Sequence, residues 1–257
     1  MSESKEAARQ VKDAASTNQN FYHALWSQTR LVCADRFNTW PLVAGLLPSS
    51  PQRLEVGPGL RPRLPIAGTH FIDIAVPVIE RLNASGAHAR LGEVGSLPYE
   101  DCRFDLVCAF DIIEHVEDDR HALAELSRVL KEDGVLILSA PIYQRCWTDF
   151  DVLVGHVRRY EPADLEALLA RCGLEPETTA AFGMQPKNER LLGLGVWYLK
   201  HHRTKAIFTY NWLLLPLGLL FQKRLKFSEG FRDTWAEEGV DEVVVICRRR
   251  GGVPPME

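Results

Sequence analysis

The feature that most constrains this chain is a set of short apolar runs alternating with helical patterns, beginning near Arg53. Phe104–Phe110, FDLVCAF, is an almost unbroken apolar strand candidate. Asp119–Lys131 then sets Ala122, Leu123, Leu126, Val129 and Leu130 on one helical face. Gly134 breaks the chain, and Val135–Leu138, VLIL, suits a parallel strand buried on both faces. The same rhythm predicts strands over Arg53–Val56, Thr69–Ile74, Ala87–Leu91, Glu175–Ala181 and Val240–Cys247. It predicts helices over Val76–Leu82 and Ala163–Arg171, where Pro77 and Pro162 fit the first turns. Such alternation implies an α/β fold with a Rossmann-like, doubly wound, mostly parallel seven-stranded sheet. The segment Gly183–Glu238 is rich in Trp, Tyr, Leu and Phe and reads as a helical insertion before the last strand.

The expected organisation has three parts. Residues 1–50 are an N-terminal tail with covering helices, including one over Phe21–Trp40. Residues 51–182 and 239–250 form the core, and residues 183–238 form a cap. Thirty basic against 34 acidic residues leave a net charge of −4, which excludes a basic nucleic-acid footprint. The six cysteines are scattered without a CxxC pair, so reduced thiols and no metal site are expected. The opening MSESKEAARQVKDAAS is polar and lacks an apolar signal core, which points to a cytoplasmic protein.

Chemistry concentrates first in Leu54–Gly59, LEVGPG, after the first strand. Gly57 and Gly59 permit close backbone approach to a ligand, and Glu55 sits at a strand end where open α/β sheets bind ligands. Asp73 ends the second strand and is placed to accept hydrogen bonds from two ribose hydroxyls; a helix N-cap or turn residue is its other reading. A nicotinamide fingerprint would need a glycine where Pro62 stands, and a phosphate loop would need a GKS or GKT that is absent. The turn thus suits a nucleoside ligand without a diphosphate, such as S-adenosylmethionine.

Several segments in one order resemble the class I S-adenosylmethionine-dependent methyltransferases, in the branch acting mostly on small molecules. LEVGPG resembles the first motif of that family, and FIDI its acidic second strand. GEVGSLPYEDCRFDLVCAFDIIEHVEDD resembles the run from the adenine loop through the fourth strand. HALAELSRVLKEDGVLILSAP and GHVRRYEPADLEALLARCGL resemble later segments, so the likeness covers roughly residues 53–180. It implies S-adenosylmethionine as cofactor, with Glu55, Gly57, Gly59 and Asp73 binding it. It also implies Glu93 and Val94 on the adenine loop, and Phe110 and Asp111 at the methionine end. The family's third glycine is Arg61 here, and Pro62 and Pro65 follow, so the first helix should be shortened. Arg61 has two readings, a partner for the cofactor's carboxylate or an exposed arginine.

Methyl transfer from a sulfonium needs mainly alignment and desolvation, so no catalytic triad is required and none is visible. Candidate acid–base residues are His115, Asp151 and His156. Asp151 and His156, five apart, could pair to orient an imidazole or to pin a loop. Trp147 and Tyr160 are candidates for a small-molecule acceptor pocket. Ala206–Phe221 is too short and interrupted for a membrane span. Basic residues flank it from Lys200 to Lys226, so it is read either as a cap over the acceptor or as a peripheral contact with an anionic membrane. The alternatives to an active methyltransferase are a non-catalytic cofactor-binding or interaction protein and, disfavoured by Pro62, a nicotinamide oxidoreductase.

Overall fold

A computed structural model describes Tyr22 and residues 25–183, 189–229 and 240–250. Strands β1 (Arg53–Val56), β2 (Thr69–Asp73), β3 (His88–Leu91), β4 (Phe104–Phe110), β5 (Leu130–Pro141), β6 (Leu174–Phe182), β7 (Ser228–Glu229) and β8 (Glu242–Arg249) form one sheet. Their order is β3-β2-β1-β4-β5-β8-β6-β7. The pairs β2–β3, β1–β2, β1–β4 and β4–β5 are parallel, while β8 runs antiparallel between β5 and β6. The order reverses between β1 and β4, which sets a ligand crevice at the carboxyl ends of those strands. The described sheet has eight strands rather than seven. The extra one, β7, pairs two residues with Thr178 and Thr179 and is too short to carry a periodic signal.

Alternation along the central strands feeds both faces. Val107 and Ala109 of β4 join one buried cluster with Leu123 and Leu126, from the helix Asp119–Val129. Leu106 and Cys108 join the opposite cluster with Val43 and Leu64. Side chains of successive residues point to opposite faces, so a strand covered on both sides must be apolar throughout. The Asp119–Val129 helix starts where the Asp118 side chain accepts from the His121 backbone N–H, an N-cap interaction.

Two expectations change. First, no helix lies between Val56 and Thr69. Pro58, Pro62 and Pro65 remove donors and push their preceding residues out of the helical region. The face is instead filled by Leu60 and Leu64, and by Val43 from the helix Trp40–Leu46. Second, Phe21–Trp40 is not one helix. The described part holds a helical turn at residues 25–27 and a 3₁₀ turn at Ala34–Arg36, separated by extended backbone that includes Cys33. The regular helix begins at Trp40, with Pro41 in its first turn. The expected tail over residues 1–20 lies outside the described residues.

Between β6 and β8 come the helices Glu189–His201, Arg203–Thr209 and Leu215–Leu220, the last two joined by a π-helical turn over Tyr210–Leu214. No helix among the described residues is long and apolar enough to cross a membrane.

Leu123 is fully buried between its helix and the sheet. Leu123→Ala should therefore cost about 2–5 kcal/mol. Urea denaturation should show a lower midpoint with an unchanged slope.

Candidate active site

The crevice starts at the glycine loop. Gly57 and Gly59 both hold a left-handed backbone, at φ of 65° and 55°. The Gly57 N–H donates to the Ile72 carbonyl at 2.7 Å, and the Gly59 N–H donates to Asp73 Oδ2 at 3.0 Å. A Cβ at Gly57 would lie 2.1 Å from Ile112 Cδ1, and one at Gly59 would lie 2.2 Å from Trp26 Cζ2. Conformation favours glycine at both positions, and at Gly59 the indole ring of Trp26 leaves no space for a Cβ.

Two buried carboxylates hold this loop in place of a helix. Glu55 accepts from the Arg63 N–H at 2.8 and 3.0 Å and from the Leu64 N–H at 2.8 Å. Asp73 accepts from Gly59 and, through Oδ1, from the Ala75 N–H at 2.8 Å. Burial pushes the Glu55 carboxyl up to about 7 and the Asp73 carboxyl up to about 6, against the lowering effect of these donors. Each Asp73 oxygen keeps further acceptor capacity, as a carboxylate offers about four lone-pair sites.

The adenine-loop candidates diverge: Val94 is buried in the core cluster beside Leu97, whereas Glu93 is exposed. Arg61 is half-buried, and its Nε has no hydrogen-bond partner among the described residues. Its guanidinium donates to the Tyr210 hydroxyl at 3.2 Å and to Asn211 Oδ1 at 2.7 Å, tying the glycine loop to the π-helical turn.

At the end of β4, Asp111 holds φ of 54°, an uncommon conformation for a residue with a side chain. Its N–H donates to Ser139 Oγ at 3.0 Å, and that hydroxyl donates to Asp111 Oδ1 at 2.5 Å. Burial and the neighbouring Asp111 carboxylate push Glu242 well above the usual carboxylate range, and its carboxyl hydrogen-bonds Asp111. Arg63 lies over the rings of Phe37 at 3.9 Å and Phe110 at 5.3 Å, and interacts electrostatically with Asp111 and Glu55.

The acid–base candidates gather, with one addition. His156 Nδ1 lies 2.9 Å from Asp151 Oδ1, and the rings of His115 and His156 meet edge-on at 4.6 Å. Asp151 also accepts from Arg159 Nε at 2.8 Å and from the Thr148 N–H at 2.7 Å. Burial raises the Asp151 carboxyl, but His156 and Arg159 outweigh it and hold the group well below the usual range. Burial, and then His156, lower the His115 imidazole to about 3, which leaves it a weak base at neutral pH. The addition is Glu114, fully buried in the 3₁₀ turn Ile113–His115. Tyr160 is buried, and its hydroxyl lies within hydrogen-bond distance of two acceptors, the Ile113 carbonyl at 3.1 Å and Asp119 Oδ2 at 2.9 Å. Trp147 is half-buried on the loop before the helix Asp149–Val154.

Sequence reasoning missed Tyr22, Trp26, Arg63, Glu114, Ser139 and Glu242. Tyr22 stacks on Trp26 at 6.1 Å, meets the His115 ring edge-on at 5.7 Å, and lies within electrostatic reach of Asp73, Asp111 and Glu114. The aromatic content of the Phe21–Trp40 stretch signalled packing, but not packing over the strand ends.

Residues 56–138 match a family model described as a methyltransferase domain. A protein of Mycolicibacterium smegmatis named "Probable S-adenosylmethionine-dependent methyltransferase" is 35% identical over 92 residues, which is 35% of this chain and 36% of that protein. An O-methyltransferase of Penicillium expansum is 27% identical over 100 residues, 37% of this chain and 36% of its own length. The chain thus spans about a third of these curated relatives. A solved structure of a SAM-dependent methyltransferase from Thermotoga maritima superposes with a TM-score of 0.55 at 18% identity, covering 84% of this chain and 89% of that one. That last likeness concerns the fold alone.

The raised carboxyls predict a pH dependence. The ordinary values are 4.5 for Glu55 and 3.8 for Asp73, against about 7 and about 6 in the fold. Between those limits the folded state holds more protons than the unfolded state, so stability falls as pH rises through the window. The contribution is complete below the ordinary values and lost above the raised ones. Glu55→Gln should remove its share. Its stability relative to the parent should rise between pH 4.5 and 7, by at most about 1.4 kcal/mol per pH unit. Chemical denaturation across that range measures it, and a constant difference would count against a raised Glu55.

Proposed function

We propose that this chain, whose residues 56–138 form a class I S-adenosylmethionine-dependent methyltransferase domain, transfers a methyl group from S-adenosylmethionine to a small acceptor with apolar or aromatic bulk. The observation that carries the reading is the loop–carboxylate arrangement at the switch point. Gly57 and Gly59 both hold a left-handed backbone, Gly59 lies where a Cβ cannot fit beside Trp26, and the buried Asp73 accepts from Gly59 with acceptor capacity left. A nicotinamide dinucleotide fits less well, because the loop lacks a helix start to receive its diphosphate.

In this reading Asp73 holds the ribose, Val94 and Leu97 wall the adenine, and Asp111 and Arg63 address the methionine end. Bound there, the cofactor supplies a methyl carbon made electrophilic by positive sulfur. The chain's own task is to align the acceptor with that carbon and to exclude water. Tyr22 and Trp26 suit the second task, and their ring faces also favour a nearby cation. The left-handed Asp111 is consistent with a backbone strained for function rather than for packing. His115, buried and neutral, serves better as a positioned neighbour than as a general base.

The insertion supports a second role beside that of a cap. Its inner edge meets the glycine loop through Arg61. Its outer side leaves Leu213, Leu220 and Phe221 62%, 71% and 76% exposed, with Phe208, Leu214 and Leu217 also more than half or about half exposed. Lys205, Lys223, Arg224 and Lys226 flank that stretch in sequence. An apolar stretch flanked by cations suits a surface of anionic lipid, and a membrane-soluble acceptor would then be collected there.

Two measurements test these readings. Titration calorimetry should show S-adenosylmethionine binding and no comparable heat from NAD. Asp73→Ala should weaken the first at least about tenfold, as expected for a lost charged acceptor, and an unchanged affinity would refute the ribose assignment. Sedimentation with vesicles containing phosphatidylserine should pellet the chain. The triple variant Leu213→Glu, Leu217→Glu, Phe221→Glu should remain in the supernatant, and equal partitioning of both would refute the lipid contact.

A further inference from the structure

Beside the end of β4, three side chains that the cofactor reading does not need converge. Glu114 and His115 sit on the 3₁₀ turn Ile113–His115, and His156 follows the helix Asp149–Val154. One ligand atom from each lies within 4.8 Å of the other two. Glu114 is fully buried, and neither of its carboxylate oxygens meets a hydrogen-bond donor among the described residues. A buried carboxyl with no donor is a costly arrangement that folded proteins rarely leave in place.

The two imidazoles are oriented as ligands are. His156 Nδ1 faces Asp151 Oδ1 at 2.9 Å. A carboxylate can only accept, so Nδ1 carries a proton, and the tautomer that binds a metal has its lone pair on Nε2. That Nε2 lies 3.8 Å from Glu114 Oε1. His115 Nδ1 faces the Gly155 carbonyl at 3.2 Å, which assigns its lone pair to Nε2 in the same way. His115 Nε2 also meets the Tyr22 hydroxyl at 3.4 Å, a contact that a bound ion would replace. Asp151 is itself fixed by Arg159 and the Thr148 N–H, so the support behind His156 is rigid.

We infer that Glu114, His115 and His156 bind one divalent transition-metal ion, with Asp151 and the Gly155 carbonyl orienting the two histidines behind it. Two imidazoles and one carboxylate suit Zn²⁺, Fe²⁺ or Co²⁺. Mg²⁺ and Ca²⁺ prefer all-oxygen sites and should bind poorly. With metal–ligand bonds of about 2.0–2.2 Å, neighbouring ligand atoms stand roughly 3–3.5 Å apart. The 3.8 Å separation of Glu114 and His156 must close by roughly 0.3–0.8 Å, and ligand atoms standing as far as 4.8 Å apart must close by more. The inference does not depend on methyl transfer, since the ligands and their supports lie outside the residues assigned to the cofactor.

The test uses the full chain, stripped with a chelator and titrated with Co²⁺. One equivalent should bind with visible d–d absorption and no strong sulfur charge-transfer band. Zn²⁺ should displace it, and Mg²⁺ should not. Glu114→Gln and His156→Ala, checked for folding by circular dichroism, should lose that equivalent. Asp151→Asn should bind about 10- to 100-fold more weakly. If a variant fails to fold, the parent alone decides. Its Co²⁺ form should show two hyperfine-shifted, exchangeable imidazole N–H resonances by NMR. No bound Co²⁺ or Zn²⁺, a sulfur-to-metal band, absence of the shifted resonances, or an equivalent retained by both folded ligand variants would overturn the inference.

Discussion

The acceptance of backbone N–H groups by two buried carboxylates, Glu55 and Asp73, is the constraint on which the crevice depends. A strand followed by a helix would satisfy its loop through the helix's own hydrogen bonds. Here prolines at 58, 62 and 65 forbid that solution, and the loop's donors must be met otherwise. Glu55 reaches forward along the chain to Arg63 and Leu64, while Asp73 reaches across from the neighbouring strand to Gly59. The loop is thereby held from both ends, with Leu60 and Leu64 turned into the two cores it separates. The raised carboxyls follow from the same fact: groups that brace a loop from inside must give up water.

The missing helix also explains why parts distant in sequence meet at the crevice. A face left uncovered after β1 is covered by the segment before it, through Val43 on one side and Trp26 on the other. Trp26 closes the space a Cβ at Gly59 would occupy, and Tyr22, stacked on it, reaches His115. The π-helical turn approaches from the opposite direction and takes the Arg61 guanidinium. π-helical turns are rare and recur at functional positions. This one presents Tyr210 and Asn211 to the loop on a single side.

Much of this was legible in the sequence, for physical reasons. Short continuous apolar runs such as FDLVCAF and VLIL, bounded by turn residues and alternating with helical patterns, suit strands covered on both faces, so the sheet followed from run length and order. The glycine turn and Asp73 were legible as features of two neighbouring strand ends, and the fold brings them together through the Gly59 N–H. The pairing of Asp151 with His156 was readable from their separation of five. The rest depended on burial that no local pattern announces. Glu114 stands in IIEHVEDD among other acids, and nothing there distinguishes the one enclosed by protein from those facing water. Nor does the sequence announce that the Tyr160 hydroxyl is engaged by Ile113 and Asp119, which only the fold brings to it.

The cluster around Asp151 shows how a structural role and a chemical one can share the same atoms. Asp151 closes a capping box with Thr148, neutralises the buried Arg159 and orients His156. Were its purpose only to pin the loop to the next helix, the capping box and Arg159 would suffice, and a third partner could be any donor. The third partner is instead an imidazole whose far nitrogen turns toward Glu114, a carboxyl with no donor of its own. Arg159 strengthens the argument, because its charge is spent on Asp151 and on the Ile142 and Asp241 carbonyls and does not reach Glu114's oxygens as a hydrogen bond. A packing device that gives one buried acid three hydrogen-bonding partners, while its neighbour has only an imidazole at 3.8 Å, is an unbalanced arrangement. It becomes balanced when the second acid and the two imidazoles are counted as donors to a common cation.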